Sequence, residues 1–231
     1  YAFMWFRDQL FNALPYYYMG DTEKLHACIG VIFDVLELQR EKIERALVNP
    51  PDRSRVHDYV HAKYSVNPLG IATNDWGHHQ LDAVGLLLFL VGERETEGNE
   101  KNSPLHSALR NSGDRELIAI LVRYVEAVHY WQEPDFGMWE EELAVRASSV
   151  GAVVSGLSAV KRAKLCEVPD TLIEHGVNTL LRLLPRESET HTSDMALLSL
   201  IWPHKLPMIE KSVLDEIYRN VTESLVGVHG V

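Results

Sequence analysis

The chain has 231 residues, 46% of them hydrophobic and 24% charged, which suits a globular domain and excludes a disordered or low-complexity chain. Its 22 Lys and Arg residues stand against 33 Asp and Glu, a net charge of −11 that repels phosphate backbones and anionic membrane surfaces but is compatible with a neutral substrate such as a sugar. The longest apolar stretch, Val84 to Val91 with Gly85 inside it, falls short of the roughly 18 residues a membrane span needs.

In chain order the apolar spacing predicts eight helices, over about Ala2–Met19, Thr22–Val48, His79–Arg94, Asp114–Tyr130, Ala147–Lys164, Asp170–Leu184, Asp194–Ile201 and Ile209–Leu225. The clearest stripe is Ile209, Val213, Ile217, Val221 and Leu225, one apolar residue every fourth position between charged ones. Asp114 is the expected N-cap of its helix, and Pro15 a point where the first helix kinks or stops. No strand alternation is evident. Three links are long. Asn49–Trp76 and Gln132–Arg146 carry aromatics beside carboxylates and amide or basic groups, whereas Glu95–Ser112 reads as a solvated loop. Cys28 and Cys166 have neither CxxC nor metal-ligand spacing. They read as free, buried thiols in a reducing, cytoplasmic setting. The chain opens inside an amphipathic aromatic pattern, Tyr1 to Phe6, and is expected to be part of a longer polypeptide forming one domain over residues 1–231.

Chemistry concentrates in three clusters. In Trp5-Phe6-Arg7-Asp8 the adjacent guanidinium and carboxylate either bind vicinal hydroxyls or form a surface ion pair. In Lys63-Tyr64 and Asp75-Trp76-Gly77-His78-His79-Gln80-Leu81-Asp82, Trp76 offers a flat face to a pyranose ring. Gln80 and Asp82 add hydrogen-bonding groups at a helix start. His57 and His61 lie four apart and could share a helical face. No third ligand follows from spacing, so solvated or hydrogen-bonded histidines are expected and no metal. In Trp131 to Glu142, carboxylates are interleaved with Trp131, Phe136 and Trp139. Such packing raises a carboxyl pKa and makes a general acid. A general acid beside aromatic platforms points to glycoside chemistry, which normally needs two carboxyl groups.

These segments, in order, resemble the glucoamylase family, glycoside hydrolase family 15. They also resemble the glucoamylase-like domain of the phosphorylase kinase alpha and beta subunits. The resemblance runs through Trp5-Phe6-Arg7-Asp8, Ala62-Lys63-Tyr64, Trp76 to Ala83, Pro134 to Glu140, Ala147 to Gly151 and Asp194 to Leu200. It implies an all-α fold, an (α/α)6 barrel of six inner and six outer helices, incomplete in this chain, with the site at one end. It implies Glu140 as the general acid. Arg7 and Asp8 would grip hydroxyls of the terminal glucose. Trp76 would pack at the cleavage point against the acid and the sugar, and Lys63, Trp139 and Glu141 would contact substrate. The implied reaction is inverting hydrolysis of α-glucosidic bonds from non-reducing ends of a glucan or oligosaccharide, without cofactor or metal. The resemblance also implies that the family's catalytic base lies beyond Val231; Glu187, Glu189, Asp194, Glu210, Asp215, Glu216 and Glu223 mostly read as solvated helix or loop charges and offer no substitute. His78 to Leu81, Asp135 to Gly137 and Ala147 to Gly151 are closer in style to the kinase subunits. A regulatory or glucan-sensing domain is therefore the alternative.

Overall fold

The computed structural model describes residues 2–101 and 107–225. Tyr1, residues 102–106 of the predicted solvated loop, and the end of the chain from residue 226 lie outside them. Among the described residues eight α-helices carry the fold: α1 (Phe6–Met19), α2 (Thr22–Glu37), α3 (Arg40–Val48), α4 (Leu81–Glu100), α5 (Ser112–Ala127), α6 (Ala147–Ala163), α7 (Asp170–Leu183) and α8 (Lys211–Leu225). A 3-10 turn, Met195–Leu200, replaces the helix expected at Asp194–Ile201.

The predicted second helix is two. It breaks at Leu38-Gln39 because the Gln39 side chain turns inward. Gln39 Nε2 donates to Tyr64 Oη at 2.6 Å, and its Oε1 accepts from the His61 amide at 3.0 Å. A buried amide that makes both bonds anchors the following segment at the cost of helix continuity. Pro15 lies within α1 and does not end it; Gly20, at φ 73°, caps it. Asn111 rather than Asp114 caps α5, accepting the Asp114 amide at 3.1 Å. Asp114 sits in the first turn, ion-paired to Arg110.

The sequence reading found no strands; the described residues contain three. β1 (Phe3–Trp5), β2 (Lys63–Val66) and β3 (Leu69–Ile71) form an antiparallel sheet in that order, with Trp5 opposite Lys63. Strands of three or four residues are too short to show alternation. The sheet brings the start of the chain to Lys63 and Tyr64.

The core centres on α4 and α6, which pack along most of their lengths and are buried on nearly all sides. Glycines permit this contact. A Cβ on Gly85 would lie 2.4 Å from the carbonyl carbon of Ala152, and one on Gly156 would lie 2.5 Å from the carbonyl oxygen of Gly85. Leu86 to Leu90 are core, as expected. The segment after Arg94 is not wholly a solvated loop. Helix α4 continues to Glu100, and buried Glu95 accepts from the Ala108 amide at 2.6 Å and Ser107 Oγ at 2.7 Å. Cys28 and Cys166 are free and half-buried rather than fully buried. Among the described residues no helix is long and apolar enough to cross a membrane.

Candidate active site

The candidate site is assembled where α1, α4 and α6 begin. Arg7, in the first turn of α1, is buried, and all three guanidinium nitrogens donate to protein acceptors. Nε reaches Asp82 Oδ2 at 2.5 Å. Nη2 reaches Gln80 Oε1 at 2.6 Å and the Gly137 carbonyl at 2.7 Å, and Nη1 reaches the Met138 carbonyl at 2.7 Å. One planar cation thus fixes the start of α4 and the tip of the 135–144 loop.

That loop is closed at its base by backbone pairing of Asp135 with Ala144 at 3.0 and 3.1 Å. Asp135 is fully buried. Its Oδ2 accepts from the Leu81 amide at 2.9 Å and Ser149 Oγ at 2.8 Å, linking α4 to α6. Burial, with the negative charge of Asp82 adding to it, pushes the Asp135 carboxyl up to about 7. Gly137 has φ 63°, and a Cβ there would strike Arg146 Cδ at 2.3 Å, so only glycine turns the chain here. Gly77 is constrained by space alone, its would-be Cβ 2.8 Å from the Phe136 ring.

Glu140 follows at the loop tip with φ 59°, a left-handed backbone that a β-carbon disfavours. Its side chain is 22% exposed. Gln80 Nε2 donates to Glu140 Oε1 at 3.0 Å while also holding the Gly77 carbonyl at 2.7 Å, and Arg7 Nη1 stands 4.0 Å from the same carboxylate oxygen. Gln80 therefore connects the Trp76-Gly77 segment to the carboxylate.

Trp139 is 52% exposed, and its Nε1 donates to Asp194 Oδ1 at 2.6 Å. The same oxygen accepts the Ala196 amide at 2.7 Å. Asp194 is buried, not solvated as the sequence reading expected. So is Glu187, which accepts from Ser148 Oγ and, at 3.1 Å, from the Ser148 amide at the start of α6. Burial pushes Glu187 up to about 8. The serines opening α6 were the available signal for Glu187: hydroxyls and free amides at a buried helix start call for an acceptor.

Lys63, on β2, is buried in an aromatic cage. Its Nζ lies 4.2 Å from the Trp76 ring centroid, 4.3 Å from that of Phe3 and 5.2 Å from that of Trp5. Trp76 is half-buried and meets Trp5 edge to face, ring centroids 6.1 Å apart. Asp8 and Glu141 are exposed, and Glu141 lies 4.0 Å from His191 Nε2. Arg7, Gln80, Asp82 and Glu140 are thus in one connected network. Lys63 packs on Trp76, Trp139 is pinned to Asp194, and Asp8 and Glu141 face solvent.

A model of the glycosyl hydrolases family 15 matches residues 1–223, so the chain belongs to that family. Its curated relatives include the probable phosphorylase b kinase regulatory subunit alpha of Caenorhabditis elegans, 27% identical over 88% of this chain and 17% of the relative. The skeletal muscle isoform of the phosphorylase b kinase regulatory subunit alpha from Oryctolagus cuniculus is 28% identical over 75% of the chain and 15% of its own length. Among solved structures, a wild-type glycosidase matches all of the chain with a TM-score of 0.78 at 19% identity, the chain covering 63% of that protein. The fold is the helical (α/α)6 type of these glycosidases. The chain spans under a fifth of the length of the regulatory subunits and under two thirds of that of the glycosidases.

Proposed function

We propose that the chain forms the acid-bearing part of a pocket for the non-reducing terminal glucose of an α-glucan or oligosaccharide. In the intact protein this pocket carries out inverting hydrolysis, with Glu140 as general acid. The observation that carries the reading is the setting of Glu140, a carboxyl at a loop tip built by Arg7 and oriented by Gln80. Gln80 donates to Oε1, and Oε2 has no hydrogen-bond partner among the described residues. The proton is therefore directed to Oε2, from which it passes to the glycosidic oxygen as the bond to the anomeric carbon breaks. Trp76 and Trp139 supply apolar faces for the sugar ring, and Lys63, Asp8 and Glu141 supply polar contacts. Arg7, with all three nitrogens engaged by protein acceptors, acts here as a positioning residue for the loop as well as a neighbour of the sugar. Inversion requires a second carboxylate at roughly 6.5–9.5 Å from the first, with a water between it and the sugar. The reaction is accordingly assigned to the intact polypeptide and needs neither cofactor nor metal. The two unpaired cysteines of this chain, Cys28 and Cys166, suit the cytoplasm.

A second reading, a glucan-sensing regulatory domain with the same pocket, is supported by sequence relatives that are named as regulatory subunits. The separating experiment is glucose release from maltooligosaccharides by the intact protein and its Glu140→Gln variant, with the anomer read by NMR and sugar binding measured in parallel. Release of β-glucose that falls at least about 1000-fold in the variant, with binding retained, is the expected result. Binding without release would move the assignment to the sensor. Neither binding nor release would overturn both.

A further inference from the structure

The sequence reading stopped at His57 and His61 because spacing offered no third ligand. The fold supplies one. His57 lies in a 3-10 turn (Val56–Asp58), His61 in the strip leading into β2, and His78 in the loop before α4. One ring nitrogen from each falls within 4.8 Å of the others. The His57 ring centroid is 5.4 Å from those of both His61 and His78.

We propose that His57, His61 and His78 form a binding site for a divalent zinc-like cation, with Asp75 orienting His57, that fastens the Val56–His61 strip to the loop carrying Trp76 and Gln80. Two observations support it. First, His61 and His78 are only 3% and 1% exposed, yet His61 Nδ1 and both nitrogens of His78 lack a hydrogen-bond partner. Buried imidazole nitrogens without partners are costly unless something binds them. Second, His57 and His61 each commit one nitrogen, His57 Nε2 to Asp75 Oδ1 at 3.0 Å and His61 Nε2 to the His57 carbonyl at 3.3 Å, so each keeps another lone pair. A carboxylate behind a ligating histidine is the usual outer support of a zinc site.

The geometry also states what must move. Tetrahedral zinc with bonds near 2.0–2.1 Å places its ligand atoms roughly 3.3 Å apart. The His61 and His78 rings are stacked, 3.8 Å between centroids and 6° from parallel. An ion cannot lie in two parallel ring planes at once, so the His78 ring must turn. That rotation costs at most a weak contact with the Asn74 backbone. His57, with a 44% exposed side chain, closes from the solvent side, and water takes the fourth position.

The site is independent of the glucan reading, and the test needs no sugar. The intact protein, stripped with chelator, is titrated with Zn2+ by calorimetry and with Co2+ by visible absorption. The same is done for His57→Ala, whose exposed side chain contributes little to folding. The expected result is one Zn2+ per chain with a Kd below about 1 μM and the intense visible bands of four-coordinate Co2+. His57→Ala should weaken binding by roughly 100-fold with an unchanged circular dichroism spectrum. Zn2+ should raise the Tm of the parent and not of the variant. No binding, or binding of equal strength in His57→Ala, would overturn the proposal. Either result leaves the Glu140 assay unaffected.

Discussion

Arg7 and Asp82, 75 positions apart, form a buried ion pair with Nε 2.5 Å from Oδ2. The pair joins the first turns of α1 and α4, and the remaining Arg7 donors hold the carbonyls of Gly137 and Met138. Removing either partner leaves the other charge buried without compensation. Arg7→Ala and Asp82→Ala are each expected to lose about 3–5 kcal/mol in urea denaturation. Arg7→Lys should fail to restore stability, because one ammonium cannot reproduce the planar fork that meets these acceptors. A Lys variant as stable as the parent would show that charge alone matters.

Asp194 Oδ1 accepts both Trp139 Nε1 and the Ala196 amide. In Asp194→Ala the half-exposed indole loses its hydrogen-bond partner and the 3-10 turn loses its cap. The expected cost is about 1–2 kcal/mol in stability. If Trp139 is a sugar platform, oligosaccharide affinity should drop by about 10-fold and the Trp fluorescence change on binding should shrink. Unchanged affinity would remove Trp139 from the pocket.

The Asp135 carboxyl is raised to about 7 by burial, whereas an unfolded aspartate ionises near 4. Between those values the folded chain keeps its proton and the unfolded chain loses it, so this group's contribution to stability declines as pH rises from about 4 to 7 and is level above. Asp135→Asn, permanently neutral, is free of that decline. Its stability relative to the parent should improve across the window, at no more than about 1.4 kcal/mol per pH unit. Urea midpoints at pH 5 and pH 7.5 measure this. A constant difference would mean that Asp135 is ionised in the folded state throughout.

Helical spacing was enough to locate most of the scaffold. The Ile217 and Val221 stripe is buried in α8, and α6 and α7 begin at the predicted Ala147 and Asp170. What escaped was non-local. The β1–β2–β3 sheet depends on pairing across some sixty residues between segments too short for a periodic signal. The break at Gln39 is driven by Tyr64 and His61, which lie far along the chain. In the candidate site, the residue types at Arg7, Gln80, Asp82 and Glu140 were visible as polar groups near aromatics, but their connection was not. Asp194 and Glu187 look like any surface acid in a linear reading. Only tertiary placement against Trp139 and Ser148 makes them buried acceptors. His78 joins His57 and His61 for the same reason.

The left-handed backbone at Glu140 sets fitness for chemistry against fitness for folding. A β-carbon at φ 59° carries a conformational penalty of about 1–2 kcal/mol, and glycine does not. After allowance for glycine's greater freedom in the unfolded chain, Glu140→Gly should melt at the parent temperature or above it, a gain of up to about 1 kcal/mol, while losing the proposed proton donor. Thermal scans of Glu140→Gly beside Glu140→Gln, which keeps the strain, would separate the two contributions. A lineage that had ceased to use a carboxylate here would have a standing thermodynamic incentive to discard it.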